Sequence, residues 1–292
     1  MWLRMLRGLP AALTGAFLLS VTMTAAAEET PLERGTYLMR GPVACGNCHT
    51  PQGPDGPLPG MELAGGMPIE EPGLFVAMVP NITPDPETGI GNWTDEQIIT
   101  AIREGKRPDG TIIGPPMPIE FYRDLSDTDV KAIVAYLRSV KPVRNEVAKS
   151  TYNIPLPPAY GPPVESVPDV PKTDRLAYGA YIAGPLAHCL DCHTPLGPDM
   201  RRDMAKLGAG GFPIHGPWGE SISANLTPDK ATGLGEWTDE EIKTAITKGI
   251  RKDGTALAPP MGYAYYANIS AEDLDALIAY LRSLKPVENA VK

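Results

Sequence analysis

A five-residue pattern, Cys-x-x-Cys-His, occurs twice in this chain: Cys45-Gly46-Asn47-Cys48-His49 and, 144 residues on, Cys189-Leu190-Asp191-Cys192-His193. The same interval relates Asn81-Ile82-Thr83-Pro84-Asp85 to Asn225-Leu226-Thr227-Pro228-Asp229 and Trp93-Thr94-Asp95-Glu96 to Trp237-Thr238-Asp239-Glu240. It also relates Pro115-Pro116-Met117 to Pro259-Pro260-Met261, and Tyr136-Leu137-Arg138-Ser139 to Tyr280-Leu281-Arg282-Ser283. Only around Gly66 and Gly211 does the interval slip to 145, so small insertions cancel there. A period this long is not a solenoid repeat; it is the size of a duplicated domain. The 292 residues divide on this reading into 28–145, a connector at 146–174 and 175–292. The connector's Pro-Leu-Pro-Pro, Gly-Pro-Pro and Val-Pro-Asp-Val-Pro runs predict an extended, stiff strap across the surface.

Each copy has helical periodicity. Residues 34–40 and 176–183 predict short opening helices. Thr94 with Gln97, and Thr238 with Glu241, form capping boxes for helices that run to Gly105 and Gly249 as C-terminal caps. A last helix starts at Ser126 or Ser270. Val130, Ile133, Val134 and Leu137 give it one apolar face, matched by Leu274, Leu277, Ile278 and Leu281; Pro142 and Pro286 stop it. The Gly- and Pro-rich stretches between predict loops, and no alternating strand stands out. The fold class expected is mainly α: two tandem domains related by duplication and joined by a Pro-rich linker.

Cys-x-x-Cys-His is the attachment signature of c-type haem. On one helical turn, cysteines at i and i+3 share a side and can bond the two vinyl groups, while the next histidine reaches the iron. Three other readings compete: one four-cysteine zinc site, two redox disulfides, or chance. Neither zinc nor a disulfide gives a reason for a histidine in both copies, and no cysteine is left over. The residues therefore point to two covalently bound c-type haems, through Cys45, Cys48, Cys189 and Cys192, with His49 and His193 as axial ligands.

A methionine opposite the histidine makes a six-coordinate electron carrier. Met117 and Met261 each follow their histidine by 68 residues and each follow Pro-Pro. The general alternative for a methionine is core filling. Met67 and Met78 have no methionine counterpart; Met61 comes within one position of matching Met204. Of the other histidines, His188 precedes Cys189 directly. His215 aligns with Glu70 and stands as the alternative to Met261. Trp93 and Trp237 carry indole N–H groups that could donate to haem propionates; packing of the capped helix is the equal alternative.

Arg4 and Arg7, then apolar, small or hydroxyl residues from Leu9 to Ala27 and the Ala25-Ala26-Ala27 run, predict an export signal cleaved after residue 27; a retained membrane anchor is the alternative. Cleavage moves the formal charge from −9 to −11, which argues against nucleic acid as a partner.

Taken as a set, these residues resemble the class I cytochrome c fold in tandem. More narrowly they resemble the cytochrome subunits of periplasmic and membrane-bound dehydrogenases of the alcohol and gluconate type. Gly35-x-Tyr37-Leu38, Cys45 to Thr50, the Asn81 to Asp85 loop, Thr88-Gly89-Ile90-Gly91-x-Trp93, Pro116-Met117-Pro118 and Leu125-Ser126-Asp127 carry the likeness. The second copy repeats most of it, with changes such as Tyr178-Gly179-Ala180-Tyr181. The family's subunits commonly have three haem domains; this chain has two. The resemblance implies a periplasmic electron-transfer protein with no substrate chemistry of its own. It would take electrons from a periplasmic or membrane-bound dehydrogenase and deliver them to a cytochrome, quinone or oxidase. Peripheral membrane association would come through such a complex. The rival is a dihaem peroxidase, which needs one iron site that can be vacated.

Overall fold

The computed structural model describes residues 29–198, 201–216 and 218–291; the expected export signal, 1–27, lies outside the described residues. The first copy runs α1 (Pro31–Arg40), α2 (Gly46–His49), the hairpins β1 (Gln52–Gly53)–β2 (Gly56–Pro57) and β3 (Pro68–Glu71)–β4 (Phe75–Met78), α3 (Asp95–Glu104), α4 (Ile119–Tyr122) and α5 (Asp127–Ser139). The connector contributes β5 (Thr151–Tyr152). The second copy runs α6 (Arg175–Tyr181), a π-helical turn at Ile182–Leu186, α7 (Cys189–Cys192) and a 3-10 turn at Met204–Lys206. It continues through β6 (Pro213–Gly216)–β7 (Gly219–Ile222), α8 (Asp239–Lys248), α9 (Tyr263–Tyr266) and α10 (Ala271–Ser283).

Helices dominate, and their ends follow local chemistry. Both capping boxes, Thr94–Gln97 and Thr238–Glu241, are formed, and Gly105 and Gly249 end α3 and α8 in the left-handed conformation. Ser126 and Ser270 cap α5 and α10, each accepting from the N–H three residues on. The opening helix of the second copy stops at Tyr181 rather than running to Ala183. Pro185 has no N–H to offer the carbonyl of Tyr181, and the chain widens into the π turn, with the N–H of Ala187 donating to Ile182 O at 2.8 Å.

The strands correct the expectation of loops alone. β3 and β4 pair antiparallel, with Ile69 opposite Ala77, and β5 adds to β4, with Phe75 opposite Tyr152. These strands do not stand out in the sequence, because β3 and β4 have four residues each, β5 has two and β3 opens on a proline, too short a run for alternation to register.

α1 crosses α5, and α6 crosses α10, at very close range. A Cβ on Gly35 would lie 2.0 Å from the carbonyl oxygen of Ala132, and one on Gly179 would lie 2.1 Å from that of Ala276. Only glycine permits this approach, which sets how near the opening helix lies to the last one. One apolar cluster then runs through both copies, joining Leu38, Leu125 and Ile133 to Ile182, Leu186 and Leu277.

The connector is fastened to the first copy. The N–H of Asp127 donates to Val167 O at 2.9 Å, and Ser166 Oγ donates to the Asp127 carboxylate at 2.8 Å. The buried Arg103 guanidinium holds the same carboxylate at 2.7 Å, and with Ser166 it pulls the Asp127 pKa down to about 2.

Candidate haem sites

The cysteines project from α2 and α7, one turn each. All four are partly buried. Their surroundings are apolar enough that burial pushes Cys45, Cys189 and Cys192 up to about 12 and Cys48 up to about 11. Among the described residues, no three His, Cys, Asp or Glu side chains converge on a common metal position. The four cysteines therefore do not meet at one zinc position.

Each histidine is held from behind. His49 is buried and its Nδ1 lies 2.9 Å from the carbonyl oxygen of Pro80; His193 Nδ1 lies 2.7 Å from that of Ala224. A carbonyl only accepts, so Nδ1 carries the proton and Nε2 keeps its lone pair for a metal. Burial lowers both imidazole pKa values, and the carbonyl contact partly opposes it. Gly65 closes the clamp: its N–H donates to His49 O at 2.7 Å. Its φ is +71°, and a Cβ there would lie 2.4 Å from the carbonyl carbon of Pro80. Gly210 repeats the arrangement in the second copy, donating to His193 O at 2.8 Å. Thr50 and Thr194, after the histidines, accept backbone N–H groups from Leu63 and Gly208. Paired cysteines on one turn, with an imidazole presenting Nε2 beside them, form the donor set that covalent haem requires.

Met117 and Met261 are half-buried against the same apolar cluster that packs Cys45 and Cys189. Both follow Pro-Pro loops of matching backbone, and the Pro115–Pro116 and Pro259–Pro260 bonds are cis. The near-match of Met61 with Met204 carries no matching burial, because Met204 is 62 % exposed. His215 has Glu71 within 3.1 Å of Nδ1 and Glu220 within 3.1 Å of Nε2, so both ring nitrogens are already engaged. His188 sits edge-on to the ring of Tyr122, centroids 5.8 Å apart. Trp93 packs against the core cluster. The carbonyls of Trp93 and Trp237 accept from Arg138 and Arg282, which ties the last helix of each copy to the loop before α3 or α8. Asn81 shapes its loop entirely: Oδ1 accepts from the N–H and Oγ of Thr83, and Nδ2 donates to Thr88 and to Val143 O.

Both attachment motifs lie at the contact between the copies, Asn47 donating to Pro260 O at 3.0 Å and His188 lying edge-on to Tyr122. Buried Tyr122 lies within electrostatic reach of Cys45 and Cys48 and of Asp191 in the second copy. Its counterpart Tyr266 lies within reach of Cys189 and Cys192 and of Cys48 in the first. Sequence reasoning did not find the residues that lock this contact, Tyr37 with Asp273 and Tyr181 with Asp129. A signal existed: Gly-x-Tyr returns 144 residues on, and the tyrosine is not needed for the glycine's helix crossing.

The family profile described as cytochrome c matches residues 33–141 and again 177–285. The chain is 34% identical to the alcohol dehydrogenase (quinone) cytochrome c subunit of Gluconobacter oxydans, over 89% of this chain and 56% of that protein. It is 33% identical to the fructose dehydrogenase cytochrome subunit of Gluconobacter japonicus, over 89% and 54%. To the gluconate 2-dehydrogenase cytochrome c subunit of Pantoea cypripedii it is 31% identical, over 88% and 60%. The chain thus spans somewhat more than half the length of these relatives. Among the described residues no helix is long and apolar enough to cross a membrane.

Proposed function

The chain belongs to the cytochrome c family as a tandem of two such domains carrying two c-type haems, and on that premise we propose that it is a periplasmic electron carrier serving a partner dehydrogenase. Electrons would enter from a dehydrogenase of the kind its relatives accompany and leave to a cytochrome, a quinone or an oxidase. When bound, each haem supplies a one-electron couple that needs no substrate chemistry from the protein. The chain's own residues do the rest. His49 and His193 present Nε2 from a fixed tautomer, with Pro80 and Ala224 setting the ring orientation. Met117 and Met261 are the axial ligands proposed opposite them, from loops at equivalent places in the two domains. Trp93 and Trp237 remain the proposed propionate donors.

The observation that carries this reading is the placement of both attachment motifs at the interdomain contact: Asn47 donates to Pro260 O at 3.0 Å, and His188, next to Cys189, lies edge-on to Tyr122 with ring centroids 5.8 Å apart. Transfer between two centres falls steeply with distance, so a contact that brings both together favours exchange within one molecule. An absorption spectrum of the dithionite-reduced protein before and after carbon monoxide tests it. At a stoichiometric amount of carbon monoxide no change is expected, because both irons keep two protein ligands and the gas must compete with a thioether. A haem–CO spectrum under native conditions would show an open iron and move the assignment to peroxidase-type chemistry.

A further inference from the structure

The two-fold relation between the domains is broken at one place that bears on Met261. Asn47, inside the first attachment motif, donates its side-chain Nδ2 to the carbonyl oxygen of Pro260 at 3.0 Å. The same side chain lies over Gly262, whose Cβ would stand 3.5 Å from Asn47 Cγ. One side chain of the first domain therefore bonds the residue before Met261 of the second and lies beside the residue after it. Next to it, Tyr265 places its hydroxyl on Gly46, where a Cβ would lie 2.2 Å away.

None of this is mirrored at Met117. The counterpart of Asn47 is Asp191, which cannot donate to a carbonyl and instead pairs with Arg202 at 3.2 Å. Gly262 is replaced by Pro118, and Tyr265 by Phe121. The Met117 loop has a different brace, the connector: Tyr152 Oη donates to Pro115 O at 2.9 Å and Tyr160 Oη to Ile113 O at 2.8 Å.

We infer that Asn47 is a positioning residue for Met261, so that the haem-attachment helix of the first domain holds the axial loop of the second. The inference rests on Met261 being an axial ligand. A thioether is a weak, neutral ligand whose occupancy depends on how firmly its loop is held. Removing a neutral hydrogen bond from that loop shifts its equilibrium toward the displaced form by about fivefold, and a competing ligand reads that fraction directly.

The test uses the full chain with both haems attached, and reads carbon monoxide affinity of the reduced protein and the far-red iron–sulfur charge-transfer band of the oxidised one. Asn47→Ala and Asn47→Asp are each expected to tighten apparent carbon monoxide binding about fivefold at one haem and to lower the band without abolishing it. Asn47→Asp carries at 47 the residue found at the mirrored place, so it reports even where the alanine variant fails to accumulate. Asn268→Ala removes another carboxamide-to-carbonyl bond across the same contact, 2.9 Å to Arg40 O, and is expected to leave both readouts unchanged. Wild-type behaviour in both Asn47 variants, with Met261→Ala opening one haem, overturns the brace and leaves the axial ligand standing. An equal shift in Asn268→Ala also overturns it, since general loosening would then suffice. If Met261→Ala opens neither haem, the axial assignment itself fails.

Discussion

Tyr37 of the first domain donates its hydroxyl to the carboxylate of Asp273 in the second at 2.6 Å. Tyr181, 144 residues on, returns the bond to Asp129 at 2.8 Å. Each hydroxyl also accepts the N–H of the serine capping the same helix, Ser270 at 3.2 Å and Ser126 at 3.0 Å. Every opening helix thus caps the last helix of the other domain. The carboxylates differ in what neutralises them. Asp129 has Arg34 in a two-point pair at 2.7 and 3.0 Å; Asp273 has Lys172 of the connector at 3.0 Å.

Tyr37→Phe and Tyr181→Phe should each destabilise the protein by about 1.5–3 kcal/mol, the range for a hydrogen bond to a charged group. Each substitution strands a buried carboxylate lone pair and a serine N–H together. Urea unfolding of the haem-loaded protein measures the loss. Variants as stable as the wild type would mean that the lock contributes nothing net.

Gly35→Ala and Gly179→Ala test the helix crossings by the sign of their effect. Alanine favours a helix interior by about 1 kcal/mol over glycine. Here its methyl would meet a backbone carbonyl at 2.0 or 2.1 Å, and overpacking of that kind costs about 1–3 kcal/mol. Net destabilisation is expected in both. A rise in the unfolding midpoint would show that the helices can separate freely.

His215 ties the second domain's hairpin to the first domain through Glu71 and to its own β7 through Glu220. The Glu71 hydrogen bond, with both nearby carboxylates, raises its pKa above the ordinary 6.5. A raised folded-state pKa gives stability that is fully present below 6.5 and is lost as pH rises through the folded value. The stability difference between the wild type and His215→Asn should therefore be largest below pH 6.5 and shrink as the pH is raised above it. A difference constant across that window would mean that the charged imidazole plays no part.

Much of each domain could be read from residues close in sequence. Capping boxes, glycine C-caps and serine N-caps act over three or four positions, and the apolar face of α5 and α10 repeats every helical turn. The short strands escaped because runs of two to four residues carry too little alternation. The attachment motifs were legible because covalent haem demands cysteines and histidine on one turn. The clamp behind each histidine was not: His49 and Pro80 are 31 residues apart, and only the fold shows that a loop carbonyl lies behind the ring.

The sequence by itself determined that there are two domains, that they are mainly helical, and where haem is attached in each, because those features are written as a repeat and as patterns of local period. Tertiary structure alone decided how the copies meet. Tyr37 and Asp273 are 236 residues apart, and Asn47 and Pro260 are 213 apart; no periodicity connects such pairs. Duplication made the two domains alike, while the contact between them depends on shape and on hydrogen-bond partners that become neighbours only once both have folded.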